Sequence, residues 1–327
     1  MGKKLIGIGN AAIDAMIDLS SESDVQKYNL EKGGCVFVGA NDPIMKQMLS
    51  DYPDHFLDAG GAAANALCAY ASLGGNARFI GKTGTDKHGD FFDESIDIHN
   101  IADDTEPTNE TESTFLIAAI TPDRERSFLS NHGASHYISN EDVSEEWFDD
   151  QTSLIIDGYM LMSGGGPDAM YQAIEYAQKH ESEILFMPCS LSVIDSNRNH
   201  IEKITSAADA LICNADEALA LTQTDNIENA CDILGQSDHY KWGVITMGEK
   251  GAYYFNNGKT GIVPVPNASV HIENTNGAGD NFSGGLIYGL HNEMTLEDAI
   301  TLGHKCAVHV LARKSARCEP NLKEIIK

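Results

Sequence analysis

Short apolar runs alternate with stretches of helical periodicity along the chain, more regularly in its second half. Leu5–Ile8 reads as a first strand, followed by a polar region over 20–34 that ends in Gly33-Gly34. Cys35–Val38 reads as another short strand and Ile44–Leu49 as amphipathic. Ala59-Gly60-Gly61 opens a small-residue run, Ala62–Ala71, that predicts a tightly packed helix, and Arg78–Ile80 predicts a strand leading into a glycine-rich turn. Thr114–Ile120 and Arg126–Leu129 predict a hairpin around Thr121-Pro122-Asp123. Beyond residue 150, strands at Leu154–Ile156, Ile184–Phe186, Ala210–Ile212 and Gly243–Thr246 alternate with helices at about 167–180, 197–207, 215–221 and 227–234. Strands and helices in that alternation imply an α/β fold whose mainly parallel sheet is covered on both faces. Thr295 is placed to cap a last long helix through Val310, with Glu297 and Asp298 in its first turn.

Composition narrows the picture. The 327 residues are 42% hydrophobic, enough to bury a large core, and suit one large α/β domain with an appendage or two domains. Lys and Arg total 22 against 49 Asp and Glu, a formal charge of −27. Such a field excludes a nucleic-acid backbone or an anionic membrane as partner, but not a small anion held by a local positive field. The seven cysteines are odd in number and lack C-x-x-C spacing, so free thiols in a reducing cytoplasm are expected. No apolar run reaches the roughly 18 residues of a membrane span, and Asn10, Asp14 and Asp18 interrupt the first segment too early for a signal peptide.

Two glycine motifs do not carry function. Gly7-Ile8-Gly9-Asn10-Ala11-Ala12 fits a dinucleotide fingerprint and would make the protein a nicotinamide oxidoreductase. The alternation of Asp14 and Asp18 with Ile13, Met16, Ile17 and Leu19 is not a helix start, however, and no acid closes a second strand about 20 residues on. Gly75 and Gly81-Lys82-Thr83 approach a Walker A loop, but five residues rather than four separate the glycines.

The strongest signal is Asn274-Thr275-Asn276-Gly277-Ala278-Gly279-Asp280-Asn281-Phe282-Ser283-Gly284-Gly285. With a helix starting near Gly279, the amides of Gly277, Ala278 and Gly279 form an anion site at its N-terminus. Asp280 beside it is badly placed to bind phosphate and well placed to take a proton from an attacking hydroxyl, which suits phosphoryl transfer to an alcohol. The same residues also fit a plain glycine-rich helix start with an exposed Asp.

Segment 274–287 resembles the second signature of the ribokinase-like carbohydrate kinases, the PfkB family. Ala59–Ala66 with Gly81-Lys82-Thr83-Gly84-Thr85-Asp86-Lys87-His88-Gly89 is similar to the first signature, Asn214-Ala215-Asp216-Glu217 to the N-x-x-E motif and Thr246-Met247-Gly248-Glu249-Lys250-Gly251 to T-x-G-x-x-G. Gly9–Asp14, Tyr28–Gly33, Leu302-Gly303-His304, Arg313–Pro320 and the stretch Arg124-Glu125-Arg126-Ser127 through Ser135 resemble the adenosine-kinase branch. The resemblance implies a single three-layer αβα domain over 1–327, with a small β-sheet lid from about 14–40 and 111–132.

It further implies ATP and Mg²⁺ as cofactors and a monomer or homodimer. Asp280 would be the catalytic base, Gly277, Ala278 and Gly279 the anion hole, and Arg126 a lid arginine that neutralises transferring charge. Asn214 and Glu217 would organise the metal through waters. Thr246, Gly248, Gly251 and His304 would line the nucleotide site, with His304 by the adenine. Asp14, Gly60, Gly61 and Asn65 would hold the sugar. The acceptor implied first is adenosine or another purine ribonucleoside, and next a free sugar such as ribose or a ketohexose; a non-catalytic sugar- or nucleoside-binding protein is the alternative class.

Two positions depart from the family. Asn274 stands where most members carry Asp, and Ser315 replaces a common glycine, which withdraws support for potassium activation. Tyr159-Met160, Phe128 and His132 stand where adenosine kinases place other apolar and aromatic side chains. Phe128, Tyr159 and Met16 are candidates to sandwich a base.

Overall fold

The computed structural model describes residues 2–32, 34–39, 42–103, 106–123, 125–237, 239–266 and 270–326. Gly33 and Arg124, both singled out above, lie outside the described residues. In chain order the strands are β1 (Lys4–Ile8), β2 (Ala12–Asp18), β3 (Cys35–Phe37), β4 (Phe56–Ala59), β5 (Asn76–Ile80), β6 (Ala102–Asp103), β7 (Thr114–Ile120), β8 (Arg126–Asn131), β9 (Thr152–Asp157), β10 (Glu183–Met187), β11 (Ala210–Asn214), β12 (Trp242–Thr246), β13 (Ala252–Asn256) and β14 (Lys259–Val263).

Nine of them form one sheet in the order β14-β13-β12-β11-β10-β9-β1-β5-β6. It is parallel from β12 to β6, and β13 and β14 add an antiparallel edge. Its central strands read as unbroken apolar runs because both faces are covered. Leu5, Ile155, Leu185 and Val244 enter one core with the helices Ala62–Ser72 and Ala278–His291. Their neighbours Ile6, Ile156, Phe186 and Ile245 enter the other, with the helices Gly166–Lys179 and Arg198–Ala207. These are the three layers the sequence implies.

The other five strands form a second sheet, β3-β8-β7-β2-β4. The hairpin of β7 and β8 is antiparallel, with Ile120 opposite Arg126. β2 follows directly from the first strand, so the Gly7–Ala12 segment leads into a strand and not into the helix a dinucleotide site requires. The alternation that spoiled a helix start is strand periodicity: Ile13, Ala15 and Ile17 are buried while Asp14 and Met16 are half-exposed on the opposite face. β4 also belongs to this sheet, although Phe56–Ala59 lies outside the two stretches assigned to it from sequence. A helix not read from the sequence spans Lys87–Asp97, capped by Asp86, whose carboxylate accepts from the His88 and Gly89 amides. Lys82 is ion-paired with Asp142 rather than held toward a phosphate loop.

Helices Ala62–Ser72 and Ala278–His291 pack at backbone distance. A Cβ on Gly284 would lie 2.1 Å from the Ala66 carbonyl oxygen, and one on Gly285 would lie 2.7 Å from the Cys306 sulfur. Gly284→Val is therefore expected to lower stability by about 3 kcal/mol. Urea unfolding of that variant, with Gly39→Ala, where a Cβ meets nothing, as comparison, measures the effect.

Candidate active site

The C-terminal ends of the parallel strands gather the chemistry, as open α/β sheets do. Asn214 ends β11 and Thr246 ends β12, side by side in register. Asp157 ends β9, and helix Ala278–His291 begins above them. Gly277 adopts φ 73°, with Ala316 carbonyl oxygen where its Cβ would be, at 2.2 Å, so this turn requires glycine. Space beside Gly279 is open. The first amides of this helix have no intrahelical acceptors and face outward as an anion site.

Asp280 stands in the first turn of that helix. Its carboxylate accepts a hydrogen bond from Asn65 Nδ2 at 2.9 Å, and the buried Asn65 comes from the other small-residue helix. Burial, reinforced by the carboxylates of Asp157, Glu217 and Asp14, raises the Asp280 pKa from 3.8 to about 7, against the Asn65 bond that lowers it. Asp14 is likewise raised to about 7, first by burial and then by Asp58, while Arg317 opposes both. Gly60 leaves room for the Asp14 carboxylate, since a Cβ there would come within 2.6 Å of it. Gly61, at φ 95°, lets the chain pass 2.2 Å from where its Cβ would meet the Asn10 carbonyl oxygen. Asp14, Gly60, Asn65 and Asp280 thus form one wall.

Asn214 and Glu217 form a capping box. Asn214 Oδ1 accepts from the Glu217 amide at 2.9 Å, and the Glu217 carboxylate accepts from Asn214 Nδ2 at 2.7 Å and from its amide at 3.1 Å. Burial raises the Glu217 pKa to about 7. Among the described residues no three His, Cys, Asp or Glu side chains are gathered to hold a metal unaided. A carboxylate has about four lone-pair positions, so Glu217 keeps capacity for a hydrated divalent cation, not for a metal needing a full protein cage. Gly248, at φ 58°, faces open space, whereas a Cβ on Gly251 would lie 2.3 Å from the Val263 carbonyl oxygen. His304 is buried, with Nε2 3.3 Å from that same carbonyl and its ring edge-on to Phe282 at 5.1 Å; burial lowers its pKa, so the ring is neutral.

Arg126 reaches from the second sheet to the turn before the anion site. Nη1 donates to Thr275 Oγ1 at 2.7 Å and Asn276 Oδ1 at 2.5 Å, and Nη2 to Asn274 Oδ1 at 2.8 Å. Asn274 Nδ2 donates to the Lys314 carbonyl at 2.7 Å, and Ser315 donates to Asp58. Beside Arg126 a cleft of about 820 Å³ is lined by Met16, Phe56, Asn274 and Lys314. Of the candidates for a base-binding sandwich, Met16 and Phe128 are half-exposed and Tyr159 is exposed. Met160, next to Tyr159, is fully buried in the second core. His132 stacks on Phe37 at 4.6 Å. Asp157 and Asp58 were not singled out from sequence, since each lies outside a recognisable motif; Arg317 falls within the Arg313–Pro320 stretch but carried no assigned role there, and only the fold brings the three here.

A proton acceptor beside a helix N-terminus, with hydroxyl-binding groups on one side and a glycine-rich strand end on the other, defines a phosphotransferase acting on an alcohol. Residues 40–322 match the family model described as pfkB family carbohydrate kinase. The chain is 28% identical over 280 residues to 5-dehydro-2-deoxygluconokinase of Bacillus subtilis, covering 81% of this chain and 85% of that protein. It is 25% identical to adenosine kinase of Saccharomyces cerevisiae, covering 93% of each. A probable sugar kinase from Rhizobium etli superposes with a TM-score of 0.90 at 24% identity, covering 99% of this chain and 98% of that one. The chain belongs to the pfkB family of carbohydrate kinases, and it is a kinase of sugars or nucleosides.

The raised acids have a thermodynamic consequence. Asp280 ionises near 3.8 when unfolded and near 7 when folded. Its contribution to stability is therefore full below about pH 4, is lost progressively as pH rises through 7, and is level only above about pH 8. Asp280→Asn, which cannot ionise, is expected to gain progressively in melting temperature over wild type as pH rises from 5 to 8. Paired thermal scans of the ligand-free proteins measure it.

Proposed function

We propose that the protein transfers the γ-phosphoryl group of ATP, with Mg²⁺, to the hydroxymethyl group of a purine ribonucleoside. The observation that carries this reading is the meeting of Asp280 and Asn65 beside the Gly277–Gly279 turn, with Asp14 on the same wall. Asp14 and Asn65 grip vicinal hydroxyls of the sugar and aim its primary hydroxyl at Asp280. The Asp280 carboxylate takes the hydroxyl proton as the oxygen bonds to the γ-phosphorus and the bond to the bridging oxygen of ADP breaks. The Gly277, Ala278 and Gly279 amides stabilise charge on the transferring group. Thr246, Gly248, Gly251 and His304 hold the nucleotide. Asn214 and Glu217 would hold Mg²⁺, which when bound would supply charge neutralisation to the phosphates. The second sheet acts as a lid that keeps out water, the competing acceptor. A nucleoside is favoured over a free sugar by the cleft that Met16 lines, two residues along the same face from Asp14, which leaves room for a base. A cytoplasmic setting agrees with the seven unpaired cysteines, and a monomer or homodimer with the fold.

A screen of ribonucleosides and sugars with ATP and Mg²⁺, read by ADP release, tests the reading. Asp280→Asn is expected to bind nucleotide normally and to lose about 10³-fold or more in kcat on whichever acceptor responds. Absence of turnover on every acceptor, with nucleotide bound, would favour the non-catalytic binding protein instead.

The turn before the anion site needs no monovalent cation. Asn274 Oδ1 is already held by Arg126, and the Lys314 carbonyl by Asn274 Nδ2. Rates in potassium, sodium and tetramethylammonium salts at equal ionic strength are expected to agree within about twofold; a strong potassium requirement would count against this.

A further inference from the structure

Arg317 has no role in the mechanism above, yet it touches that mechanism's residues. It is 4% exposed and comes from the loop after the last long helix. Nε donates to Asn65 Oδ1 at 3.1 Å, Nη2 to the Gly60 carbonyl at 2.8 Å and Nη1 to Ser95 Oγ, while the guanidinium lies 4.9 Å over the Phe92 ring. A buried cation thus spends its hydrogen bonds on neutral acceptors that border the acceptor site.

Resting on the kinase reading, we propose that Arg317 is a positioning residue that sets which way the Asn65 amide faces and so presents an N–H, not a carbonyl, to the catalytic base. The argument is one of donors and acceptors. An amide side chain has a carbonyl end and an NH₂ end of nearly equal shape, and its neighbours decide the orientation. Arginine has five N–H donors and no acceptor, so it accepts only the Oδ1 end of Asn65. Nδ2 is then left for Asp280, as observed at 2.9 Å. Turned the other way, Asn65 would set an oxygen lone pair against the Asp280 carboxylate and a donor against a guanidinium, two repulsive contacts in place of two bonds.

The ionised base needs that N–H. Asp280 is faced by the Asp157 carboxylate from β9, Glu217 from the helix Ala215–Thr222 and Asp14 from β2, all of which favour its protonated form. The Tyr159 phenol and the Cys189 thiol also face it, and both have their ionisation pushed up, so both stay neutral. Asn65 is the hydrogen bond that opposes this set.

The test is a double-variant cycle on the full chain. Arg317→Met is expected to lower kcat about tenfold or more and to move the acid limb of kcat/KM up by about one pH unit, leaving the nucleotide Kd unchanged. Adding Arg317→Met to Asn65→Ala is expected to change kcat less than about twofold further, because Arg317 acts through a side chain already gone. Arg317→Gln, which offers Asn65 either an oxygen or an N–H, keeps a polar side chain and is expected to shift the acid limb in the same direction; it serves if the Met variant does not fold. Additive losses in the double variant, or an unmoved acid limb with only a lower melting temperature, would overturn the proposal. A ¹³C-carboxyl titration of Asp280 in ligand-free wild type and Arg317→Gln reads the same shift without any acceptor. If wild type phosphorylates nothing, the kinase reading falls while this titration still decides whether Arg317 acts on Asp280.

Discussion

Asn65 and Asp280 lie far apart in the chain and meet because two helices approach to backbone contact. Every other feature of the site depends on that approach. Helix Ala62–Ser72 presents alanine to its neighbour, and helix Ala278–His291 answers with Gly284 against the Ala66 carbonyl. A larger side chain at either place would separate the two N-termini and with them Asn65 and Asp280. The small-residue runs that bracket the two family signatures are thus spacing devices. Gly60, Gly61 and Gly277 do related work at the turns leading in, where a Cβ would strike Asp14 or a backbone carbonyl.

The second constraint is charge. The site collects Asp14, Asp157, Glu217 and Asp280 at the strand ends in a chain already at −27. Left to themselves these carboxylates bind protons, as the raised pKa values of Asp14, Glu217 and Asp280 show. The structure counters with a helix N-terminus, the Arg126 guanidinium on the Asn274–Asn276 turn and buried Arg317. These are local fields, effective because burial limits screening. An acidic protein can in this way receive an anionic nucleotide without a basic surface. Stability sacrificed to hold the acids in place is the usual cost of a site prepared for charge that arrives with its ligands.

The fold was largely legible in the chain. Apolar runs such as Ile184–Phe186 belong to strands covered on both faces, and the 3.6-residue spacing after Thr295 belongs to a surface helix. The pieces that escaped are those whose pattern is short or mixed. β2 has the two-residue alternation of a half-buried strand, but its glycine-rich approach drew notice to phosphate motifs instead. β4 has four residues, too few for periodicity to register, and the helix after Asp86 announces itself only by its cap. In the site, Asp280 and its turn stood out because glycine, a small residue and an acid in that order have few other uses. Arg317 lies in the Arg313–Pro320 stretch without standing out from it, because its meaning lies in contacts with Gly60, Asn65 and Ser95 that only folding creates.

Acceptor choice is harder to read than chemistry for a physical reason. The groups proposed to move a proton and a phosphoryl sit on the rigid three-layer domain, where glycine packing and buried bonds admit few residues. Those proposed to meet the rest of the acceptor sit on the exposed face of the second sheet. There Met16, Phe128 and Phe37 stand at alternate positions of neighbouring strands, and substitution costs little packing. A side chain on such a face is restrained by its ligand more than by its neighbours. On the proposed reading the chemistry is therefore held by the core and the choice of acceptor by the second sheet. Arg126 joins the two parts: it belongs to the second sheet but ends on the Asn274–Asn276 turn, so an acceptor that tilts the sheet also bears on the turn before Gly277.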